Sequence, residues 1–145
     1  GLVSMAYRGA YNASKYAIEG FADTLRLELY DTDIHISLIE PGPITSKFRA
    51  NAFIKYQQNI DKEKSAHKST YNAMEQRLTK QGPAAPFTLP PEAVVAKLIH
   101  AIESKRPKIR YYVTFPTYLF ATLKRLLPHR CLDWVLMKIS AAENK

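Results

Sequence analysis

Between residues 10 and 30, Ala17, Phe21, Leu25 and Leu29 recur at four-residue steps, with Ile18 and Ala22 beside them. This is the repeat of an amphipathic helix. Gly20 would weaken an isolated helix by about 1 kcal/mol relative to Ala, so close packing against a neighbour is one reason for it. After the polar break Asp31-Thr32-Asp33 the period shortens to two. Ile34-His35-Ile36-Ser37-Leu38-Ile39 alternates and is rich in β-branched residues, which predicts a strand over 34–39. Glu40-Pro41-Gly42-Pro43 stops it. A helix feeding a strand that ends in a Gly/Pro loop suits an α/β sheet. Ligands of such sheets bind beyond the carboxyl ends of the strands, so the loop at Pro41–Phe48 is a candidate contact.

The pattern loses its strong core residues over 47–88, where Lys, Gln and Asn dominate. A short helix is expected over 48–60 and a second, exposed one over 62–80, ended by Gly82-Pro83-Ala84-Ala85-Pro86. An excursion of this length is either a lid or specificity segment or a surface loop with no role. Pro91 suits the first turn of the next helix, whose apolar face is Val94, Val95, Leu98, Ile99 and Ile102. A strand is expected over 108–114 with Ile109, Tyr111 and Val113 on one side. Two amphipathic helices, 116–127 and 129–141, split at Pro128.

The 145 residues carry 21 Lys+Arg against 13 Asp+Glu, a formal net charge of +8. The charge is dispersed in small clusters at 62–68, 105–110 and 124–130, with no nucleic-acid motif among them, so no nucleic-acid partner is expected. A basic surface can also attract an anionic cofactor. The single cysteine, Cys131, excludes an internal disulfide and a cysteine zinc site. It fits a reducing cytoplasm. His35, His67, His100 and His129 have no metal-ligand spacing, and no metal is expected. No apolar run is long enough to span a bilayer.

The residues with the clearest chemistry open the first helix: Tyr11-Asn12-Ala13-Ser14-Lys15. Positions four apart share a helix face. A phenol is ordinarily a poor acid or base near neutral pH, and a cation one turn away favours its ionised form. The pair can therefore exchange a proton with a substrate hydroxyl or carbonyl. Tyr7 and Tyr16 have no Lys at the following turn and read as packing residues.

Tyr11-x-x-x-Lys15, followed by the Ile-rich strand and by Pro41-Gly42-Pro43-Ile44-Thr45-Ser46, resembles the short-chain dehydrogenase/reductase family. The motif matches include the Ser before Lys and the Pro-Gly loop. The likeness is greatest to a bacterial branch related to retinol- and hydroxysteroid-dehydrogenase-like members, several of which reduce aldehydes with NADPH. It implies the C-terminal part of a Rossmann-like, doubly wound parallel sheet. The catalytic helix, strand and cofactor loop would occupy 1–46, a substrate-loop insertion 47–88, a helix and strand 89–114, and a helical tail 115–145.

The resemblance also implies roles. Tyr11 would be the general acid in carbonyl reduction and the base in alcohol oxidation. Lys15 would hold the nicotinamide ribose. The loop residues Pro41, Gly42, Ile44 and Ser46 would contact the cofactor, NADP or NAD, with the backbone of Ile44 at the carboxamide. Ser46 stands where the family usually has Thr, and Thr45 is the substitute if the loop is shifted. Apart from the resemblance, the apolar residues Phe48, Phe53, Ile54 and Tyr56 would line a pocket, which would suit an aldehyde or a retinoid- or steroid-like substrate, or else simply pack. The family's glycine-rich turn and upstream Ser and Asn have no counterpart here, so the expectation is a C-terminal piece that is inactive alone. A homo-oligomer is expected, and the basic, amphipathic C-terminal helices also suit an anionic bilayer. Rival readings are a non-catalytic nucleotide-binding sensor or scaffold and a basic membrane-associated adaptor.

Overall fold

Helices dominate the computed structural model, which describes residues 1–83 and 85–143. Its order is α1 (Gly9–Glu28), β1 (Leu38–Glu40), α2 (Phe48–Asn59), a 3-10 turn (Lys62–Lys64), α3 (Lys68–Thr79), α4 (Glu92–Glu103), β2 (Arg110–Tyr112), α5 (Phe115–Leu126) and α6 (His129–Glu143). Two expectations touch residues outside this description: Ala84 in the turn at 82–86, and the last two residues of the 115–145 tail.

β1 and β2 pair in parallel with Leu38 opposite Arg110, Ile39 opposite Tyr111 and Glu40 opposite Tyr112. The long connection between them carries α2, α3 and α4, as a parallel pair requires. The pairing explains why the strand expected over 34–39 is shorter and later. Its first rung is the Leu38 N–H donating to Ile109 O at 2.9 Å. Just upstream, the Ser37 hydroxyl donates to Lys108 O at 2.8 Å. Residues 34–37 are extended in pattern but lie outside the ladder.

The helix expected over 62–80 is likewise two pieces. Ser65 has extended backbone, and its hydroxyl accepts the His67 N–H at 3.1 Å. Such local side-chain bonds compete with helix propagation. Ion pairs Lys62–Glu75 and Lys68–Glu63 then tie the short turn to α3.

The core sits where β2 runs into the C-terminal helices. Tyr111 and Val113 are buried, with Thr117 and Ala121 of α5 and Leu132 and Leu136 of α6. The last two pairs are four residues apart, so each presents one helix face. Tyr111 keeps its hydroxyl satisfied by His100 Nδ1 and by the Lys108 N–H, both at 2.9 Å, which also ties α4 to β2. Ile109, expected on one side of the strand with Tyr111 and Val113, is exposed while those two are buried. The apolar stripes of α1 and α4 are also largely open. Ala22 is buried, yet Phe21 is 66% exposed, and Val95, Leu98, Ile99 and Ile102 face outward. Among the described residues the sheet has two strands, too narrow to cover both helix faces.

Candidate active site

The first turns of α1 carry Tyr11 and Lys15 on one face. Lys15 Nζ lies 5.5 Å from the centre of the Tyr11 ring, within the range of a cation–π attraction. The Tyr11 side is open to solvent and ligands, the residue being 48% exposed. The loop before it is tied back by Asn12 Nδ2, which donates to Met5 O at 2.9 Å. Phe48, the first residue of α2, brings its ring to 6.0 Å from that of Tyr11, tilted by 58°. The start of α1 and the end of the 41–46 loop are therefore neighbours.

That loop is shaped by its own residues. Gly42 has φ +74, a conformation that residues with a Cβ adopt only with strain. Ile44 makes an isolated parallel bridge with Leu89. In it, Leu89 N–H donates to Pro43 O at 3.1 Å and Thr45 N–H donates to Leu89 O at 2.9 Å. The pairing uses the neighbours of Ile44 and leaves its own N–H and C=O directed the other way. A donor and an acceptor side by side are what a carboxamide needs. The Ser46 hydroxyl accepts the Phe48 N–H at 3.3 Å, which helps start α2.

Ser46 and Phe53 line a different space. With Arg49, Ala50, Leu78, Thr79 and Lys80 they line an open, shallow cleft of about 350 Å³ between α2 and α3. Arg49 donates to the carbonyls of Lys80 and Gly82, tying α2 to the end of α3. Phe53 stacks on Tyr56, whereas Phe48 meets Tyr11, so the two proposed substrate residues serve different surfaces. Tyr7 sets its ring 6.2 Å from that of His67.

What holds α1 against the strands is Arg110 of β2. Its Nε and Nη2 donate to Glu19 Oε2 at 3.2 and 3.1 Å, and Nη2 donates to both oxygens of Asp23 at 3.0 Å. Glu40 Oε1, from the end of β1, stands 3.7 Å from Nε. The Arg110 hydrogen bond holds the Asp23 carboxyl below its ordinary value. Glu40 moves the other way, raised first by burial and then by the like charge of Glu19. A further tie joins α1 to α5: Lys124 Nζ lies 4.8 Å from the Tyr16 ring centre. Pairs separated by about ninety residues leave no local signal in a sequence; only the acid pair Glu19/Asp23 on one helix face hinted at a cationic partner. Among the described residues no group of three or more His, Cys, Asp or Glu could hold a metal.

The short chain dehydrogenase family matches residues 1–57, the stretch that holds Tyr11, Lys15, the 41–46 loop and Phe48. Over 136 residues the chain is 46% identical to "Uncharacterized oxidoreductase YbbO" of Escherichia coli K12, covering 94% of this chain and 44% of that protein. It is 31% identical over 138 residues to the NADPH-dependent 3-dehydrocapnine reductase of Ornithobacterium rhinotracheale, covering 95% and 47%. With the 17-beta-hydroxysteroid dehydrogenase type 6 of Bos taurus it shares 32% over 141 residues, covering 92% and 44%. The chain spans about half the length of these curated relatives. It belongs to the short-chain dehydrogenase/reductase family, and its helices and small parallel sheet are the corresponding α/β architecture.

Removing Arg110 leaves Glu19, Asp23 and Glu40 facing one another. Arg110→Ala is expected to cost about 2 kcal/mol of stability, measured by denaturant unfolding, with Arg110→Lys recovering only part because an ammonium cannot make the forked contacts. The two shifted carboxyls give opposite signs. Asp23, lowered in the folded state, contributes stability above its ordinary 3.8 that is lost as pH falls through its folded value. Glu40, raised, contributes stability below its ordinary 4.5 that is lost as pH rises through its folded value. At pH near 7, Asp23→Asn should therefore unfold at lower temperature than wild type and Glu40→Gln at higher. Both gaps should close in acid; shifts of the same sign in thermal melts would contradict the assignment.

Proposed function

We propose that the whole protein is an NAD(P)-dependent dehydrogenase/reductase that interconverts an apolar carbonyl compound and its alcohol. The observation that carries this reading is the Tyr11–Lys15 pair stacked on one helix face beside the Phe48 ring and the 41–46 loop. The Tyr11 hydroxyl donates its proton to the carbonyl oxygen and takes it back in the reverse direction. Lys15 steadies the negative charge left on the phenol oxygen and reaches the cofactor's ribose. Pro41, Gly42, Ile44 and Ser46 form the loop at the nicotinamide, where the backbone N–H and C=O of Ile44, unpaired among the described residues, suit the carboxamide. The bound nicotinamide supplies the hydride. NADP is the favoured cofactor because the dehydrocapnine reductase relative is named as NADPH-dependent.

Phe48 lends the mouth an apolar wall, which suits an aldehyde or a retinoid- or steroid-like carbonyl. Phe53 takes a substrate only if the cleft between α2 and α3 joins that mouth. A second copy of the protein is the expected cover for the open stripe of α1. A cytoplasmic setting fits the single free Cys131. Among the described residues no helix is long and apolar enough to cross a membrane. Peripheral contact has its own support: on α6, Trp134 is 63% and Met137 70% exposed, and Lys138 Nζ sits 5.7 Å from the Trp134 ring centre. Apolar and cationic groups together suit an anionic bilayer surface.

Assays of the whole protein with NADPH and a series of aldehydes test the catalytic reading. Tyr11→Phe should lower kcat at least about a hundredfold while cofactor affinity holds; Lys15→Ala should damage both. Full turnover by the Phe variant would refute it. For the membrane contact, the protein should co-sediment with phosphatidylglycerol vesicles, be released by salt, and ignore phosphatidylcholine vesicles. Failure to bind the anionic vesicles ends that part of the reading.

A further inference from the structure

Gly42 does more than turn the chain. A Cβ at this position would come closer than 3.0 Å to two oxygens, Thr114 Oγ1 and Thr117 Oγ1. The Gly42 backbone is therefore seated directly on a pair of hydroxyls. Those hydroxyls are bonded to each other at 3.0 Å. Thr114 is 0% exposed and Thr117 is buried too. The pair is thus an interior fixture.

Thr114 does not cap the helix it introduces. It is the residue that precedes α5, where a Thr side chain ordinarily accepts a backbone N–H of the first turn and stabilises the helix. Here it makes no such bond. Its carbonyl accepts the N–H groups of Thr117 and Tyr118, at 3.0 and 3.3 Å, while the hydroxyl turns to Thr117 and Gly42. The usual capping contribution, about 1 kcal/mol, is forgone. A neighbouring rung keeps the two segments in register: Val113 N–H donates to Glu40 O at 3.2 Å. On its other flank the loop is held by Leu89.

We infer that Thr114 and Thr117 are positioning residues: their hydroxyl pair forms the seat that holds Gly42 and so aims the backbone of residues 41–46. The link to cofactor binding rests on the reading of this loop given above. The seat itself does not. Oxygen is smaller than a methyl group, and a Gly Cα–H can rest against it as a weak donor. Replacing Thr114 by Val puts a methyl in place of the oxygen and lifts Gly42. Replacing it by Ser keeps the oxygen. Gly42→Ala collides with the same seat, and removing both hydroxyls with Thr114→Ala and Thr117→Ala makes room for the added carbon.

The test uses the whole protein and two readouts. The first is backbone hydrogen exchange of residues 41–48 without cofactor. The second is NADPH affinity by fluorescence titration, with kcat and KM alongside. For Thr114→Val the loop amides, that of Thr45 above all, should exchange about tenfold faster. NADPH affinity should fall about tenfold with the pH profile of kcat unchanged. Thr114→Ser should match wild type in both readouts. Gly42→Ala should lose affinity, and Gly42→Ala combined with Thr114→Ala and Thr117→Ala should regain part of it. If exchange in Thr114→Val speeds up throughout the chain and not selectively at 41–48, the loss is general and the seat is overturned. If Thr114→Val leaves both readouts at wild-type values, the seat is overturned. If wild type gives no saturable NADPH signal while exchange in Thr114→Val is still faster, the cofactor reading falls and the seat stands.

Discussion

One guanidinium organises this site. Arg110 is three-quarters buried and cannot shed its charge, so the fold must surround it with acceptors. It finds them on two other elements, Glu19 and Asp23 of α1 and Glu40 at the end of β1. The consequence is geometric. The helix that bears Tyr11 and Lys15 is clamped to the strand that delivers the Pro-Gly loop, so the phenol and the loop are set by a shared anchor. Arg suits the task because its fork can satisfy several oxygens from a fixed plane. The arrangement is not free of cost, since Glu40 is held in a setting that disfavours its charge.

The segment 110–117 thus meets both α1 and the 41–46 loop. Arg110 reaches α1, and Thr114 and, from α5, Thr117 sit against Gly42. Between them, Tyr111 and Val113 supply the buried apolar contact that gives this stretch its rigidity. Polar grip and hydrophobic burial alternate along one short strand, as the two-residue period of extended chain allows.

How much of this was legible beforehand depends on the range of each interaction. The Tyr11–Lys15 pair is local: four residues on a strongly periodic helix place both groups on a face, and the structure brings them together there. The helices α1, α2, α4, α5 and α6 follow from period and from Pro and Gly punctuation. What depended on distant partners was not readable. The strand at 34–39 shrank because its neighbour begins pairing only at Leu38. The helix at 62–80 broke at Ser65, where a side-chain bond competes with the backbone. Phe48 and Phe53 looked equivalent in the sequence, yet they point to different surfaces because five residues is not a whole number of helical turns. Arg110 offered no clue of its own, since its partners lie far away in the chain.

The bridge between Ile44 and Leu89 has an evolutionary corollary. It staples together the two ends of the excursion that contains α2 and α3, so the mouth of that loop is closed whatever happens farther out. Doubling the length of a flexible loop adds only about 0.6 kcal/mol to its closure cost. Residues beyond the staple are therefore at liberty to lengthen, shorten or change character while the reacting end keeps its shape. Such a chain can vary one appendage while the helix of Tyr11 and Lys15 and the 41–46 loop stay as inherited parts.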